Sequence, residues 1–506
     1  MVRIKKDTVG VLGLSKSGLA VAKLYNKLGF KVKGFDDNYN LVVNENYKNY
    51  FSEIFLGKQP QYVINEIKNY KYLVVSPGVP FDHPIIQFAR SQKVPVISEI
   101  EAAYKTMSQR KTIIGITGTN GKSTVSTLIY QFIKSLNDDV YLAGNIGYPF
   151  SEVAYECMDK ENITVVLELS SFQLKMTNNF RSQISVITNI TSDHLDRHES
   201  FEDYVNSKLK LLYFQLKKDY AIINEEDGTI SKFLQSDKLK SSLGYFRSFN
   251  YSNFSNTSFK DKSLYACFDG KKIMILCKGQ SVFELPISSL NNPLFKQEGI
   301  YLENLLPSLL AFYIYSKYLK KVDFDRKSIV DVIDDFVPLA YRLKSEKKWG
   351  KFEFFNDSKA TNLAATKSSI DTVKNYFLKN GVRRYGIILL VGGVPKYSNK
   401  EDCFKEIEKL FSGYEKDLIG VLGFGKYADV FINPFAKFSL KYLYAFNSME
   451  LAFSKAVNLA FMEQENYDSI AILLAPGGAS FDEFKSAEER GKFFENLVDS
   501  FLKLKT

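Results

Sequence analysis

The sequence predicts an α/β protein of about three domains, each built on a mostly parallel sheet. Three observations lead there. At 506 residues the chain has room for about three domains of roughly 150 residues each. Short runs of Val, Ile and Leu alternate with helical patterns in three separate zones, as strands joined by helical crossovers do. Most of those runs end in a glycine-bearing or polar loop, the edge at which open α/β sheets bind ligands.

The first zone opens on a strand over Thr8–Leu12, then a turn, a helix over about 18–28 and a strand over 30–35 that ends at Asp36-Asp37. A strand over Tyr72–Val75 runs into Ser76-Pro77-Gly78. The second zone starts with a helix around Glu101 and a strand over 112–116, followed by a helix over 125–135. Further strands are expected over 165–169, 184–189 and 221–224. From about 245 to 290, short β-like pieces with Ser, Asn and Lys suggest a small antiparallel extension. The third zone, from near Tyr341, offers strands over 352–355, 387–391, 418–422 and 470–474.

Composition narrows the function classes. Hydrophobic residues at 45% and charged residues at 25% describe a soluble globular chain, and no apolar run reaches the roughly 20 residues of a membrane helix. The N-terminus lacks a signal-peptide pattern, so a cytoplasmic location is expected. Cys157, Cys267, Cys277 and Cys403 form no CxxC pair, and with three histidines a zinc site or disulfide framework is not expected. The net charge of +10 is scattered Lys among 57 acidic residues, without an aromatic-basic run, so a nucleic-acid partner is not expected.

The strongest motif is Thr117-Gly118-Thr119-Asn120-Gly121-Lys122-Ser123-Thr124, between a strand and a helix. Glycines let backbone N–H groups curl round phosphate oxygens, and the helix N-terminus favours the anion. Lys122 can reach the terminal phosphates and a Ser/Thr hydroxyl can hold Mg²⁺. The match to a strict P-loop is incomplete, since Ile116 stands where the first glycine would be. Glu168 ends an apolar strand, where a buried carboxylate needs a partner such as a divalent cation, or a cap or salt bridge. His194, in Thr191-Ser192-Asp193-His194, fits metal binding or a local hydrogen bond equally well; His198 reads as a bystander. Phe201, Tyr204, Val205, Leu209 and Leu212 form one helical stripe that includes Lys208. A core-facing lysine must snorkel, pair or be modified.

Gly13-Leu14-Ser15-Lys16-Ser17-Gly18 is a dinucleotide fingerprint one glycine short, so a nucleotide or its pyrophosphate is expected there rather than NAD. In the third zone Arg342 precedes a strand that leads into Asn356-Asp357-Ser358-Lys359-Ala360-Thr361-Asn362. Gly392-Gly393 with Lys396, and Pro476-Gly477-Gly478-Ala479-Ser480-Phe481, end two further strands. Three such loops on one edge suggest a ligand face.

Together these pieces resemble the muramyl ligase family, in its D-glutamate-adding branch, over nearly the whole chain. The residues that carry the resemblance are the Gly13–Gly18 turn, Ser76-Pro77-Gly78-Val79-Pro80, the phosphate loop, Gly144-Asn145-Ile146-Gly147, and the segments 168–174, 189–197, 356–362 and 475–491. The resemblance implies a Rossmann-like, UDP-substrate-binding domain over 1–100, a central P-loop ATPase-type domain over 101–338 and a Rossmann-like, amino-acid-binding domain over 339–506. It implies an ATP-dependent amide ligase of peptidoglycan synthesis that adds D-glutamate to UDP-N-acetylmuramoyl-L-alanine through an acyl phosphate, and acts as a monomer. By position, Leu14, Ser15, Asp36, Ser76 and Gly78 would meet the uridine. Gly118, Thr119, Asn120, Gly121, Lys122, Ser123 and Thr124 would hold ATP phosphates, with Asn304, Arg342 and Asp357 as further ATP contacts. Ser123 and Glu168 would bind one Mg²⁺; His194 and Lys208, the latter as a carbamate, would bind a second. Asn145 would touch the muramyl group. Lys359, Thr361, Lys396, Ser480 and Phe481 would bind D-glutamate or steady the intermediate.

The chain departs from the family pattern at Ser15 (glycine in the family), Ile300-Tyr301 (a His-Asn pair), Tyr341 (a His) and Ala487 (an aromatic). Two other readings fit parts of the sequence: a folylpolyglutamate-type amide ligase, which would have no uridine domain, and a non-catalytic P-loop regulator.

Overall fold

A computed structural model describes residues 7–59, 61–107, 111–136, 139–234, 241–247, 264–295, 300–338, 340–397 and 399–504. Two compact units are present. The first comprises Met1–Ile190, Glu202–Lys296 and Glu303–Phe336; the second comprises Thr191–Phe201, Gln297–Leu302 and Val337–Thr506.

The first unit holds two sheets. One is all parallel, in the order Glu53–Leu56, Lys31–Asp36, Thr8–Leu12, Tyr72–Val75, Val96–Ser98. The other has nine strands. From one edge it runs Val140–Gly144, Thr164–Glu168, Thr112–Thr117, Ile184–Ile187, Tyr220–Asn224, Ser242–Arg247 and Leu264–Phe268, all parallel. Lys272–Cys277 and Gln280–Pro286 then close it as an antiparallel hairpin. Helices cover the central strands on both faces, which is why those strands read as unbroken apolar runs; every residue of Thr164–Glu168 is buried. One core joins the two sheets of this unit. Val21 and Leu24 of the helix Lys16–Lys27 and Ile100 of Glu99–Tyr104 pack in the same cluster as Phe150, Val153, Val165 and Leu167.

The second unit carries one sheet in the order Lys344–Trp349, Phe352–Asn356, Ser469–Gly477, Tyr385–Gly392, Leu418–Phe424, Tyr442–Phe446. Its first strand is antiparallel and the rest are parallel. Apolar clusters line both faces, one under the helices Leu363–Lys379 and Lys400–Phe411, the other under Met449–Glu463 and Ala487–Lys503.

The expected elements are present, most with ends shifted by one to three residues. Two expectations need correction. The 245–290 extension is only partly antiparallel: Ser242–Arg247 and Leu264–Phe268 continue the central sheet as parallel strands, and the antiparallel part is the hairpin after them. Residues 248–263 lie outside the described residues. Phe201, placed on the buried stripe of its helix, is 36% exposed, because it is the helix's first residue and lies beyond the core its later turns cover.

Candidate active site

The sequence brings the phosphate loop out of a buried strand, Thr112–Thr117, and into the helix Lys122–Lys134. Gly118 and Gly121 have φ of +147° and +81°. A Cβ at Gly118 would stand 1.9 Å from the Thr188 hydroxyl, and one at Gly121 would stand 2.2 Å from Asn304 Oδ1. Both glycines are therefore required by backbone conformation and by space. The neighbouring strand end pins the loop: Thr119 N–H donates to the Asn189 carbonyl (2.8 Å), Asn120 N–H to Asn189 Oδ1 (2.9 Å), and the Thr188 hydroxyl to the Asn120 carbonyl (2.6 Å). Thr119 and Tyr204 share a hydroxyl–hydroxyl bond of 2.9 Å.

Two lysines turn towards this loop. Lys122 Nζ donates to the carbonyls of Gly118 (2.9 Å) and Thr119 (2.7 Å), and Lys208 Nζ donates to the Gly118 carbonyl at 2.6 Å. Lys208 is buried, with its ammonium 4.6 Å from the centre of the Tyr204 ring. Glu168 pairs in register with Ile116 on one side and Gly144 on the other, so its carboxylate rises beside the loop. It is 1% exposed; Oε1 accepts from Asn145 Nδ2 at 2.8 Å, and Oε2 has no hydrogen-bond partner among the described residues.

A second locus in this unit is a cavity of about 260 Å³ at the carboxyl ends of the first sheet, lined by Ser15, Asp36, Ser76 and Gly78 among others. Asp36 accepts the Leu14 N–H (2.8 Å), and the Ser76 hydroxyl donates to the Gly13 carbonyl (2.7 Å). The Leu14 side chain itself is buried in the core. A Cβ on Gly18 would meet the Gly13 carbonyl at 2.0 Å, so this glycine lets the helix start close under the turn. Asp37 and His83 also line the cavity, their side chains 3.1 Å apart, and His83 Nδ1 accepts the Ile85 N–H. Neither was singled out in the sequence.

In the second unit the three expected loops do meet. Lys396 Nζ lies 3.1 Å from Asp193 Oδ1 and donates to the Thr361 hydroxyl at 3.1 Å. Asn362 Nδ2 donates to Asp193 Oδ2 (3.2 Å). Asp193 also accepts the N–H of His194, which holds φ +56°, an uncommon conformation for a non-glycine residue and one that concentrates at functional sites. Lys359 pairs with Glu488. Ser480 is buried and Phe481 is 75% exposed. Asp357 is buried, accepts from the Ser369 hydroxyl (2.6 Å), and its pKa is pushed up to about 6 by burial, against the pull of that bond and of Arg342. Asp193 and Asn362 sat inside quoted motifs without a role; the signal that could have found them is the density of polar residues on a loop.

Residues 116–290 match the Mur ligase middle domain, and residues 7–98 match the Mur ligase MurD-like, N-terminal domain. A UDP-N-acetylmuramoylalanine–D-glutamate ligase from Bacillus subtilis (strain 168) is 30% identical over 501 residues, 98% of each chain. One of the same name from Lactococcus lactis subsp. cremoris (strain MG1363) is 31% identical over 508 residues, 99% of each chain. This chain belongs to the Mur ligase family. Among solved structures, a pseudomurein peptide ligase type C from Methanothermus fervidus has the same fold at TM-score 0.54 and 16% identity, over 98% of this chain and 100% of that one. A MurF ligase from Thermotoga maritima in complex with ADP follows at 0.53 and 14%, over 97% and 95%. Mur ligases are ATP-dependent, ADP-forming amide ligases. In this Mur ligase two of the departures from the family pattern, Tyr301 and Tyr341, have their side chains packed into the second unit. The buried Tyr301 hydroxyl donates to the Arg342 carbonyl (2.6 Å), and the Tyr341 carbonyl accepts the Lys359 N–H (3.2 Å). A Cβ on Gly491 would fall 2.3 Å from the Tyr341 ring, so that glycine makes room for the aromatic. The Ala487 carbonyl accepts the Ser358 hydroxyl (2.7 Å).

Proposed function

We propose that this Mur ligase joins D-glutamate to UDP-N-acetylmuramoyl-L-alanine with ATP, in peptidoglycan synthesis. The phosphate loop carries the ATP half of the reading: a glycine-pinned cradle with Lys122 and Lys208 on one carbonyl and a buried carboxylate beside it. The amino acid and the sugar nucleotide follow the name of relatives similar over the full length.

The substrate carboxylate attacks the terminal phosphorus of ATP; the bond to the bridging oxygen breaks, leaving ADP and an acyl phosphate. The neutral amine of D-glutamate then attacks the acyl carbon and gives up a proton, and phosphate leaves with the oxygen that came from the carboxylate. Both reactants of the first step are anions, so cationic groups must meet the charge that builds between them. Residues 118–124 hold the phosphates, with Lys122 on the transferred group. Asn304, Arg342 and Asp357 serve the rest of ATP; Leu14 (through its backbone), Ser15, Asp36, Ser76 and Gly78 serve the uridine; Asn145 serves the muramyl group. Lys359, Thr361, Lys396, Ser480 and Phe481 receive D-glutamate.

Mg²⁺ fits the donor set. Glu168 keeps one buried oxygen without a hydrogen-bond partner among the described residues, a charge suited to a hard cation, and Ser123 supplies a hydroxyl. No three His, Cys, Asp or Glu side chains converge as a metal site among the described residues. Glu168 and Ser123 would hold the ion together with the phosphates it serves. His194 and Lys208 would hold a second ion in this reading. Lys208 would do so as a carbamate: its free amine would add to CO₂ with loss of a proton, and the side chain would present oxygens in place of a cation. Bound Mg²⁺ supplies charge neutralisation at the phosphates. The domains over 1–100, 101–338 and 339–506 serve sugar nucleotide, ATP and amino acid. No helix among the described residues is long and apolar enough to cross a membrane. Work in the cytoplasm as a monomer belongs to the same proposal.

The test is phosphate release by purified protein with ATP, Mg²⁺ and UDP-N-acetylmuramoyl-L-alanine, offered D-glutamate, L-alanine or meso-diaminopimelate in turn. Release on D-glutamate alone is expected. Release on either other amino acid, with none on D-glutamate, overturns the assignment.

A further inference from the structure

The helix Ala487–Lys503 carries Arg490 into the interior of the second unit, where it is 0% exposed. Its guanidinium makes three hydrogen bonds, all to neutral groups. Nε donates to the Ser358 hydroxyl (3.1 Å), Nη2 to the Ser358 carbonyl (2.9 Å) and Nη1 to the Gly478 carbonyl (3.1 Å). Among the described residues no carboxylate lies within ion-pair distance of it; Asp482, Glu483 and Asp357 act on it only through space. Burial pulls its pKa down to about 10, a measure of how poorly solvated the charge is.

A buried charge of this kind is a poor investment in stability, since a well-packed apolar side chain of similar volume is often as good or better. What the guanidinium does offer is a rigid planar fork with donors in fixed directions. Here the fork spans two loops and touches a third. The loop 356–362 is held through Ser358, whose hydroxyl passes the link on to the Ala487 carbonyl, while Asn356 Nδ2 donates to the Gly491 carbonyl at 2.9 Å. The loop 475–481 is held through Gly478. The third loop comes against it at Gly393, where a Cβ would stand 2.8 Å from Nη1. Val394 and Ala479 then exchange backbone bonds of 2.6 and 2.9 Å, which lock the second and third loops together. These are the loops that bear Lys359 and Thr361, Lys396, and Ser480 and Phe481.

We propose that Arg490 is a positioning residue for the amino-acid half of the reaction: its guanidinium sets the mutual register of the three loops that receive the incoming amino acid. The proposal rests on the reading that these loops take D-glutamate, and the wild-type protein checks that first. If it releases phosphate on another amino acid, the Proposed function fails, and the same comparison is made with that amino acid.

The experiment compares Arg490→Lys, Arg490→Met and Ser358→Ala with wild type. Each is measured for thermal unfolding, for KM of ATP and of the amino acid, and for acyl-phosphate formation without amino acid, trapped as the hydroxamate. In the folded variants KM for the amino acid is expected to rise roughly 10–100-fold, the scale of a small misplacement at a reacting centre. KM for ATP and hydroxamate yield should stay within about threefold of wild type, a far smaller change than that misplacement scale. Arg490→Lys should not restore the amino-acid KM, since one ammonium cannot span both carbonyls in the same plane; Ser358→Ala, which keeps the charge, should show a smaller rise of the same kind. An unchanged amino-acid KM in any folded Arg490 variant overturns the proposal. So does an equal loss in both half-reactions, and so does failure of all three variants to fold, which would leave Arg490 a purely structural part.

Discussion

The Lys122 ammonium donates to the carbonyls of Gly118 and Thr119, so a cation stands at the phosphate loop itself. A cation so placed attracts phosphate. Lys122→Ala is expected to lower kcat by roughly 10²–10³-fold, as loss of one preorganised charge-stabilising donor does, while sugar-nucleotide binding, followed by calorimetry, stays near wild type. A different residue sets a pH dependence of stability. Glu99 is fully buried, Oε1 accepts the Ser151 N–H, and Oε2 has no hydrogen-bond partner among the described residues. Burial raises its pKa from 4.5 to about 7. The folded protein therefore holds this proton between those two values while the unfolded chain has lost it, so stability falls as pH rises through that window. Glu99→Gln removes the effect. Its unfolding free energy, relative to wild type, should be higher at pH 8 than at pH 4.5 by up to about 3 kcal/mol, the linkage value of such a shift. A pH-independent difference would show that Glu99 is not the group responsible.

At the scale of elements, the strand–loop–helix of the phosphate site depends on two glycines for different neighbours, Thr188 for Gly118 and Asn304 for Gly121. Gly121→Ala meets a left-handed φ of +81° and the Asn304 carboxamide at once. It is expected to cost about 1–3 kcal/mol in denaturant unfolding and to raise KM for ATP, since the strained loop and the displaced Asn304 share one place. Elements also show what the sequence made legible. Central strands were readable because burial on both faces makes them continuous apolar runs. The five strands the sequence did not announce are Glu53–Leu56, Val96–Ser98, Val140–Gly144, Lys344–Trp349 and Tyr442–Phe446, and every one is a sheet edge. An edge strand is short, partly exposed and mixed in polarity, so its pattern is weak; Tyr442–Phe446 has no buried residue at all.

At the scale of the whole molecule, the phosphate loop and the three polar loops were legible because ligand-binding loops follow strand ends, which the apolar runs mark. Asp193, Asn362, His83 and Arg490 were not, because their importance lies in partners far away in sequence: Asn362 reaches Asp193 across 169 residues and Arg490 reaches Ser358 across 132. Nor was it legible that the first two sheets share one core. Phe150, 0% exposed, sits in that core with Val21 and Leu24. Phe150→Ala is expected to cost about 3–5 kcal/mol and to weaken sugar-nucleotide and ATP binding together. Loss of only one of the two affinities, with an independent unfolding step for residues 7–98, would separate the sheets.

In the proposed reaction ATP activates the carboxylate of the sugar-nucleotide substrate by phosphoryl transfer. The most direct measurement uses UDP-N-acetylmuramoyl-L-alanine labelled with ¹⁸O in its terminal carboxylate, turned over with ATP and D-glutamate, with the released phosphate read by mass spectrometry or ³¹P NMR. One labelled oxygen per phosphate is expected. Unlabelled phosphate, or label recovered in AMP, would contradict the account.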